Sequence, residues 1–229
     1  MHSFPFDIVG FDLDGTLLDT SGDLGVALNH ALRLAGRPEV APQDIYRLVG
    51  GGTRMMLARA LDQSGGPVDE AAMNDLTDAL VNHYEANIAQ HSRLYPGGAE
   101  MLTALAERGV KLAVVTNKLE RLAVKLFAEL GLTDRFYTII GGDTLGPGRA
   151  KPKPDLLHLM VERSGLAAPR PAYVGDTTFD TSAAQAAGIP CVAVSFGFRD
   201  RPAQDLGADV VIDHFGDLVD ALEGLAVRP

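Results

Sequence analysis

The sequence has little of several features that mark particular protein classes, beginning with cysteine. Cys191 is the single cysteine, which excludes a disulfide framework and a zinc site built on several cysteines. Its apolar neighbours predict a buried structural thiol. No apolar run approaches the ~20 residues that span a bilayer, and the first residues lack the charged-then-apolar order of a signal peptide. We therefore expect a cytoplasmic protein without membrane contact.

Positive charge is also scarce. The chain has 20 Lys and Arg against 30 Asp and Glu, which gives a net charge of −10. Nucleic-acid binding usually depends on a basic face, so no nucleic-acid partner is expected. A small anionic ligand is still compatible with this balance, because a local site can oppose the global charge. The length of 229 residues suits one domain with a sizeable insertion, and the oligomeric state stays unknown.

Short apolar runs alternate with helical patterns along most of the chain. Residues 6–11, 111–115, 137–140, 172–174, 191–194 and 210–212 predict buried strands. Residues 99–108, 119–130, 155–164, 179–187 and 215–225 predict helices, and a glycine that could end the helix follows each of the first four. This alternation predicts an α/β fold with a doubly wound, mostly parallel, Rossmann-like sheet.

One segment interrupts the alternation. Between residues 21 and 91 we find three apolar stripes at helical spacing and no strand pattern. We therefore predict a catalytic core of residues 1–20 and 92–229, with a helical domain of residues 21–91 inserted after the first strand.

Polar residues collect where the predicted strands end, at the edge where open parallel sheets bind ligands. Asp12 and Asp14 follow the first strand, Thr116 and Asn117 the second, Lys151 the third, and Asp176 and Asp180 the fourth. Gathered carboxylates favour a hard cation such as Mg²⁺. A threonine can donate a hydrogen bond to a phosphoryl oxygen, and a lysine can neutralise its charge. An ionised aspartate can attack phosphorus without a base, while a second aspartate moves protons.

Four motifs carry a family resemblance. They resemble, in order, the four motifs of the haloacid dehalogenase superfamily, and the helical insertion lies where that family has its C1-type cap. The resemblance implies a Mg²⁺-dependent phosphatase with Asp12 as nucleophile and Asp14 as acid/base. It implies that the Asp12 carboxylate, the Asp14 backbone carbonyl and Asp176 hold the metal, with Asp180 supporting them from behind. The motifs are DLDGT (12–16), VVTN (114–117), KPKP (151–154) and GDTTFD (175–180).

Further stretches are similar to phosphoglycolate phosphatases, namely VGGGTRMML (49–57), RLYPG (93–97) and VVTNK (114–118). The expected substrate is a small phosphorylated metabolite, 2-phosphoglycolate above others. A phosphomutase or a pyrophosphatase of the same superfamily stays open as an alternative. The β-phosphoglucomutase branch usually has Glu before the acid of the fourth motif, where this chain has Gly175. A non-catalytic regulator with the same fold is a less favoured alternative, because such proteins often lose a motif acid and none is missing here.

Seven residues are expected to contact the substrate. The phosphate would meet three from the core, and a second anionic group would meet the start of a helix near Thr53 in the insertion. Glycine lets the backbone approach a ligand closely, a helix N-terminus favours an anion, and an arginine can add a bidentate contact. These residues are Thr116, Asn117 and Lys151 from the core, and Gly51, Gly52, Thr53 and Arg54 from the insertion.

Other interpretations of these motifs fit less well. A calcium-binding EF-hand starting at Asp12 needs Gly at loop position six and Glu at position twelve, where the chain has Leu17 and Asp23. A P-loop needs Gly-Lys-Ser/Thr at its end, but Pro147 follows Gly146. The six histidines show no metal-ligand spacing.

Overall fold

The computed structural model describes residues 4–225, which form eight strands and eight α-helices. The strands are β1 (Ile8–Phe11), β2 (Leu18–Asp19), β3 (Arg93–Leu94), β4 (Lys111–Val115), β5 (Thr138–Ile140), β6 (Pro171–Gly175), β7 (Cys191–Val194) and β8 (Val210–Ile212). The helices are α1 (Ser21–Leu34), α2 (Thr53–Gln63), α3 (Glu70–Ala86), α4 (Gly98–Glu107), α5 (Glu120–Glu129), α6 (Asp155–Arg163), α7 (Thr178–Ala187) and α8 (Leu218–Leu225).

Six of the strands form one parallel sheet in the order β5-β4-β1-β6-β7-β8. Helices cover both faces of this sheet. Successive side chains of a strand point to opposite faces, so each strand contributes to two apolar cores. Val9 and Phe11 of β1 join the apolar core packed by α4, α5 and α8, whereas Ile8 joins the core packed by α6 and α7. The predicted doubly wound α/β sheet is therefore confirmed.

The central position of β1 creates the site of interest. The chain leaves β1 toward β4 and β5 on one side, and later returns to β6, β7 and β8 on the other. Loops at the carboxyl ends of β1, β4 and β6 consequently diverge there and leave a crevice, as at other topological switch points.

Helices α1, α2 and α3 lie between β2 and β3 in the chain, and α1 packs against both others. Their predicted apolar stripes are buried, with Leu28, Leu61 and Leu80 as examples. β2 and β3 pair in an antiparallel ribbon that joins the two connections of this helical segment. The sequence did not predict the ribbon, because two residues are too few to show a strand period.

Several boundaries differ from the prediction. β1 begins at Ile8 rather than at residue 6. The last helix begins at Leu218, after a 3-10 turn over Phe215–Asp217 whose entry is capped by the His214 imidazole. The glycines predicted to end four helices all have positive φ, as at Gly188 with +67°, and Cys191 is buried as predicted. No helix within residues 4–225 combines the length and apolarity needed to cross a membrane.

Candidate active site

The first motif begins where β1 ends, in the central crevice. Asp12 is buried to 8% exposure, Leu13 between the two acids is fully buried, and Asp14 is half-buried. The next residue, Gly15, has φ +86°, and a Cβ there would lie 2.3 Å from Asp176 Oδ2. Glycine is therefore required for the turn that lets the fourth motif approach the first.

Lys151 is enclosed by acceptors at the centre of the site. Its ammonium donates to Asp12 Oδ1 at 2.8 Å, Asp180 Oδ1 at 2.6 Å, the Tyr173 hydroxyl at 2.8 Å and the Val115 carbonyl at 3.0 Å. Burial acts to lower the pKa of Lys151, but the carboxylates of Asp12 and Asp180 outweigh it and raise that pKa. Lys151 is therefore a fixed, permanently charged cation beside the Asp12 carboxylate.

Asp12, Asp176 and Asp180 form a buried cluster in which one carboxylate oxygen of each lies within 4.8 Å of the others. Burial raises the pKa of Asp12 to about 6, against the opposing effect of the Lys151 cation. Burial and the two neighbouring acids also hold the pKa of Asp176 well above its usual range. Three carboxylates thus face one ammonium, so a divalent cation fits the excess negative charge, and oxygen-only donors suit a hard ion.

The partners of Asp176 and Asp180 differ. Each carboxylate oxygen of Asp176 accepts one hydrogen bond. Oδ1 accepts from the Thr16 hydroxyl at 3.0 Å, and Oδ2 accepts from the Phe198 N–H at 2.7 Å. Asp180 accepts from Lys151 and, through Oδ2, from both the N–H (3.0 Å) and the hydroxyl (2.6 Å) of Thr177. The hydrogen bonds of Asp180 therefore stabilise the loop of the fourth motif. Asp176 accepts fewer hydrogen bonds, so its carboxylate has more lone pairs free for a metal ion.

Thr116 and Asn117 follow β4 and line the same cavity as Asp12 and Lys151. The buried Thr116 oxygen accepts the Lys118 N–H at 3.1 Å, which leaves its hydroxyl proton free to donate. The Asn117 amide donates to the Lys151 carbonyl at 3.0 Å, and its Oδ1 is buried without a hydrogen-bond partner among residues 4–225. The structure therefore brings the predicted residues of the second and third motifs together.

Lys118 also lines this cavity, although the sequence analysis did not select it as a site residue. Its ammonium donates to both carboxylate oxygens of Asp14, at 2.8 and 2.9 Å, and lies 4.6 Å from the centre of the Tyr84 ring. Burial acts to lower the pKa of Lys118, but the Asp14 carboxylate raises it overall. Thr20 donates a further hydrogen bond to Asp14 at 2.7 Å. The sequence signal that could have selected Lys118 was its position two residues after Thr116, at the end of the same strand.

The helical segment contributes the opposite wall of the cavity, which has a volume of about 50 Å³. Gly51, Gly52 and Thr53, three of the residues expected to contact the substrate, line it. Arg54 does not. Its guanidinium instead donates to Asn74 at 2.6 Å and to Glu70 at 2.7 Å, on an exposed surface between α2 and α3. The structure therefore does not bring Arg54 to the predicted site, because Glu70 and Asn74 of the neighbouring helix α3 bind it elsewhere.

The arrangement matches a known family. A family model described as haloacid dehalogenase-like hydrolase matches residues 9–194. The chain belongs to this family. Membership confirms the resemblance that the four motifs carried and the fold class. Together with the phosphatase relatives described next, it also confirms the predicted enzyme class, a hydrolase of phosphoric monoesters.

Individual relatives of this haloacid dehalogenase-like hydrolase are similar over nearly the whole chain. A phosphoglycolate phosphatase of Agrobacterium fabrum is 44% identical, over 93% of this chain and 90% of the relative. A phosphoglycolate phosphatase of Mesorhizobium japonicum is 40% identical, over 96% of both. A crystal structure described as a predicted phosphoglycolate phosphatase from Haemophilus somnus superposes with a TM-score of 0.87 at 29% identity, covering 95% of this chain and 98% of that one.

Proposed function

We propose that this hydrolase is a Mg²⁺-dependent phosphatase that converts 2-phosphoglycolate to glycolate and phosphate through an aspartyl phosphate. The observation that carries the proposal is the buried Asp12 carboxylate, which lines a cavity while the Lys151 ammonium holds it at 2.8 Å. The similarity to phosphoglycolate phosphatases supports the choice of substrate.

Asp12 would supply the nucleophilic oxygen. Its attack forms a bond to phosphorus while the bond from phosphorus to the glycolate oxygen breaks. Asp14, two residues further along the same loop, would give its proton to that leaving oxygen. Asp14 would then take a proton from water, whose oxygen attacks the phosphorus while the bond from phosphorus to the Asp12 oxygen breaks. This step releases phosphate and restores the Asp12 carboxylate. Thr116 can donate its free hydroxyl proton to a phosphoryl oxygen, and Lys151 neutralises developing negative charge.

Mg²⁺ would be held by the Asp12 carboxylate, the Asp14 backbone carbonyl and Asp176. When bound, the ion screens the repulsion between the anionic nucleophile and the phosphate and polarises the phosphoryl group. Asp180 would hold Lys151 and the fourth motif in place, which its hydrogen bonds to Lys151 and Thr177 support. Gly15 and Gly197 support the role of Asp176, because a Cβ on either residue would collide with its side chain.

Residues 21–91 would act as a cap over a core of residues 1–20 and 92–229. Two observations support this division. The cavity has one wall of core residues and one of Gly51, Gly52 and Thr53, and the β2–β3 ribbon joins both crossings between the parts. A cap that closes over the substrate excludes water from the reaction and strengthens electrostatic interactions there. Asn117, opposite this wall, would help to orient the phosphate.

The test is phosphate release from 2-phosphoglycolate, pyrophosphate and sugar phosphates, with Mg²⁺ and with EDTA. We expect 2-phosphoglycolate to give the highest kcat/KM and EDTA to abolish turnover. Asp12→Asn should remove activity while leaving the circular dichroism spectrum unchanged, because the amide is not a nucleophile. Rapid-quench mass spectrometry of the wild type should detect a phosphorylated protein that Asp12→Asn does not form.

Full turnover in EDTA would contradict the metal requirement. A clear preference for a sugar phosphate or pyrophosphate would leave the hydrolase in place but replace its substrate. Transfer of the phosphoryl group to a second sugar phosphate, without a matching release of free phosphate, would favour the phosphomutase alternative.

A further inference from the structure

The proposed substrate has two anionic groups, and the first and third motifs account for only one. This inference rests on the proposed function, since it concerns the carboxylate of that substrate. Of the described residues that line the cavity, two carry a positive charge, Lys118 and Lys151. The question is which of them is available to the carboxylate.

Lys151 is not available. Its four acceptors include two carboxylates, a hydroxyl and a backbone carbonyl of β4, all buried in the core. An ammonium has three donors, so these partners already use its full capacity. Lys151 therefore serves the Asp12 end of the cavity, where the phosphate would lie.

The nearby arginines are bound elsewhere. Arg54 pairs with Glu70 and Asn74. Arg59 donates from Nη1 to the carbonyls of Leu48 and Gly50, at 3.0 and 3.1 Å, and so supports the glycine loop from behind. Neither arginine lines the cavity.

Lys118 has different surroundings. It is 8% exposed, and its ammonium donates to the carboxylate of a single residue, Asp14, which itself lines the cavity. Its ammonium also lies 4.6 Å from the centre of the ring of Tyr84, a residue of α3. An ammonium that already binds one carboxylate at the cavity wall has the chemistry to bind another that enters the cavity.

We propose that Lys118 binds the second anionic group of the substrate and so selects phosphomonoesters that carry a carboxylate close to the phosphate. The substrate carboxylate would share or replace Asp14 as the partner of Lys118. Lys118 would thus be a specificity-determining residue, and the Tyr84 ring would position it from the helical segment.

The alternative is that Lys118 only orients Asp14. That role would affect every phosphomonoester alike, because Asp14 acts on the leaving oxygen that all of them have. Recognition of the carboxylate would instead affect only the substrates that carry one. The ratio between two matched substrates therefore separates the two roles.

The matched pair is 2-phosphoglycolate and ethyl phosphate, which share two carbons and a phosphate and differ in the carboxylate. In Lys118→Met, kcat/KM for 2-phosphoglycolate should fall about ten- to a hundredfold more than kcat/KM for ethyl phosphate, as expected for loss of a charge-assisted contact. Lys118→Arg keeps the charge and should retain most of the preference. Lys153→Met is the control, because Lys153 is an exposed lysine outside the cavity, and its ratio should equal that of the wild type.

Binding provides a second measurement that does not depend on turnover. In an Asp12→Asn background, calorimetry should show that Lys118→Met weakens the binding of 2-phosphoglycolate by the same factor. The affinity for ethyl phosphate should stay unchanged. Equal losses for both ligands, in kinetics and in binding, would overturn the proposal and assign Lys118 to Asp14 alone. A wild type that does not prefer 2-phosphoglycolate to ethyl phosphate would instead refute the proposed substrate itself.

Discussion

Removal of the Lys151 cation should destabilise the fold. Added Mg²⁺ and a lower pH should each restore part of the lost stability. Lys151→Met replaces a buried ammonium, 4% exposed, with an apolar side chain of similar length. Asp12, Asp176 and Asp180 would then lie within 4.8 Å of one another without a cation. Removing one partner of a buried ion pair costs about 3–5 kcal/mol, because the remaining charge stays buried and unpaired.

Urea unfolding in EDTA at pH 8 gives the clearest measurement. With a slope of about 2–3 kcal/mol per molar urea, this loss lowers the midpoint by about 1–2.5 M. At pH 5 the deficit should shrink, because the pKa of Asp12 is already about 6 in the wild type and rises further without Lys151, so the acid is neutral. Saturating Mg²⁺ should also restore stability, since the ion binds the folded acid cluster and not the unfolded chain.

The control is Lys153→Met, an exposed lysine of the same motif. It should change the free energy of unfolding by less than about 0.5 kcal/mol. If Lys151→Met in EDTA at pH 8 were as stable as this control, the acid cluster would not depend on Lys151 for its charge balance. The excess negative charge of the cluster would then not indicate a site for a divalent ion.

The remaining predictions concern the acids and two glycines. Asp14→Asn should lower kcat by ~10²–10⁴-fold, and a variant within threefold of wild type would exclude Asp14 as the acid/base. In EDTA, the wild type should lose about 3 kcal/mol of stability relative to Asp12→Asn as the pH rises from well below 4 to well above 6, because folded Asp12 has a pKa of about 6 against 3.8 unfolded. Parallel curves in urea titrations would contradict this. Gly15→Ala forces φ +86° on alanine and places its Cβ 2.3 Å from Asp176. Both the stability and the Mg²⁺ affinity measured by calorimetry should therefore fall. An unchanged affinity would argue against Asp176 as a ligand. Gly51→Val adds a β-branched side chain at φ +78°, where a Cβ would lie 2.4 Å from Met55 Sδ. It should raise KM for 2-phosphoglycolate and also lower the unfolding midpoint, because valine is strained at positive φ; an unchanged KM would contradict closure of the proposed cap.

Much of the fold was predictable because local patterns agree with the tertiary structure. The parallel strands are buried on both faces, so each appears in the sequence as a short apolar run. The ends of helices were predictable because glycine adopts the left-handed conformation of a helix end without strain. The gathering of Asp12, Thr116, Lys151 and Asp176 also follows from the sequence, since the carboxyl ends of parallel strands meet at one edge.

The tertiary structure alone decided which cation beside Lys151 reaches the cavity. By spacing, Arg54 was the better candidate for the substrate carboxylate, since it follows a glycine loop at the start of a helix. Glu70 and Asn74 of α3 bind its guanidinium away from the cavity. Lys118 turns into the cavity instead, because Asp14 and the Tyr84 ring hold it there. These contacts join residues far apart in the chain, and no local sequence pattern contains them.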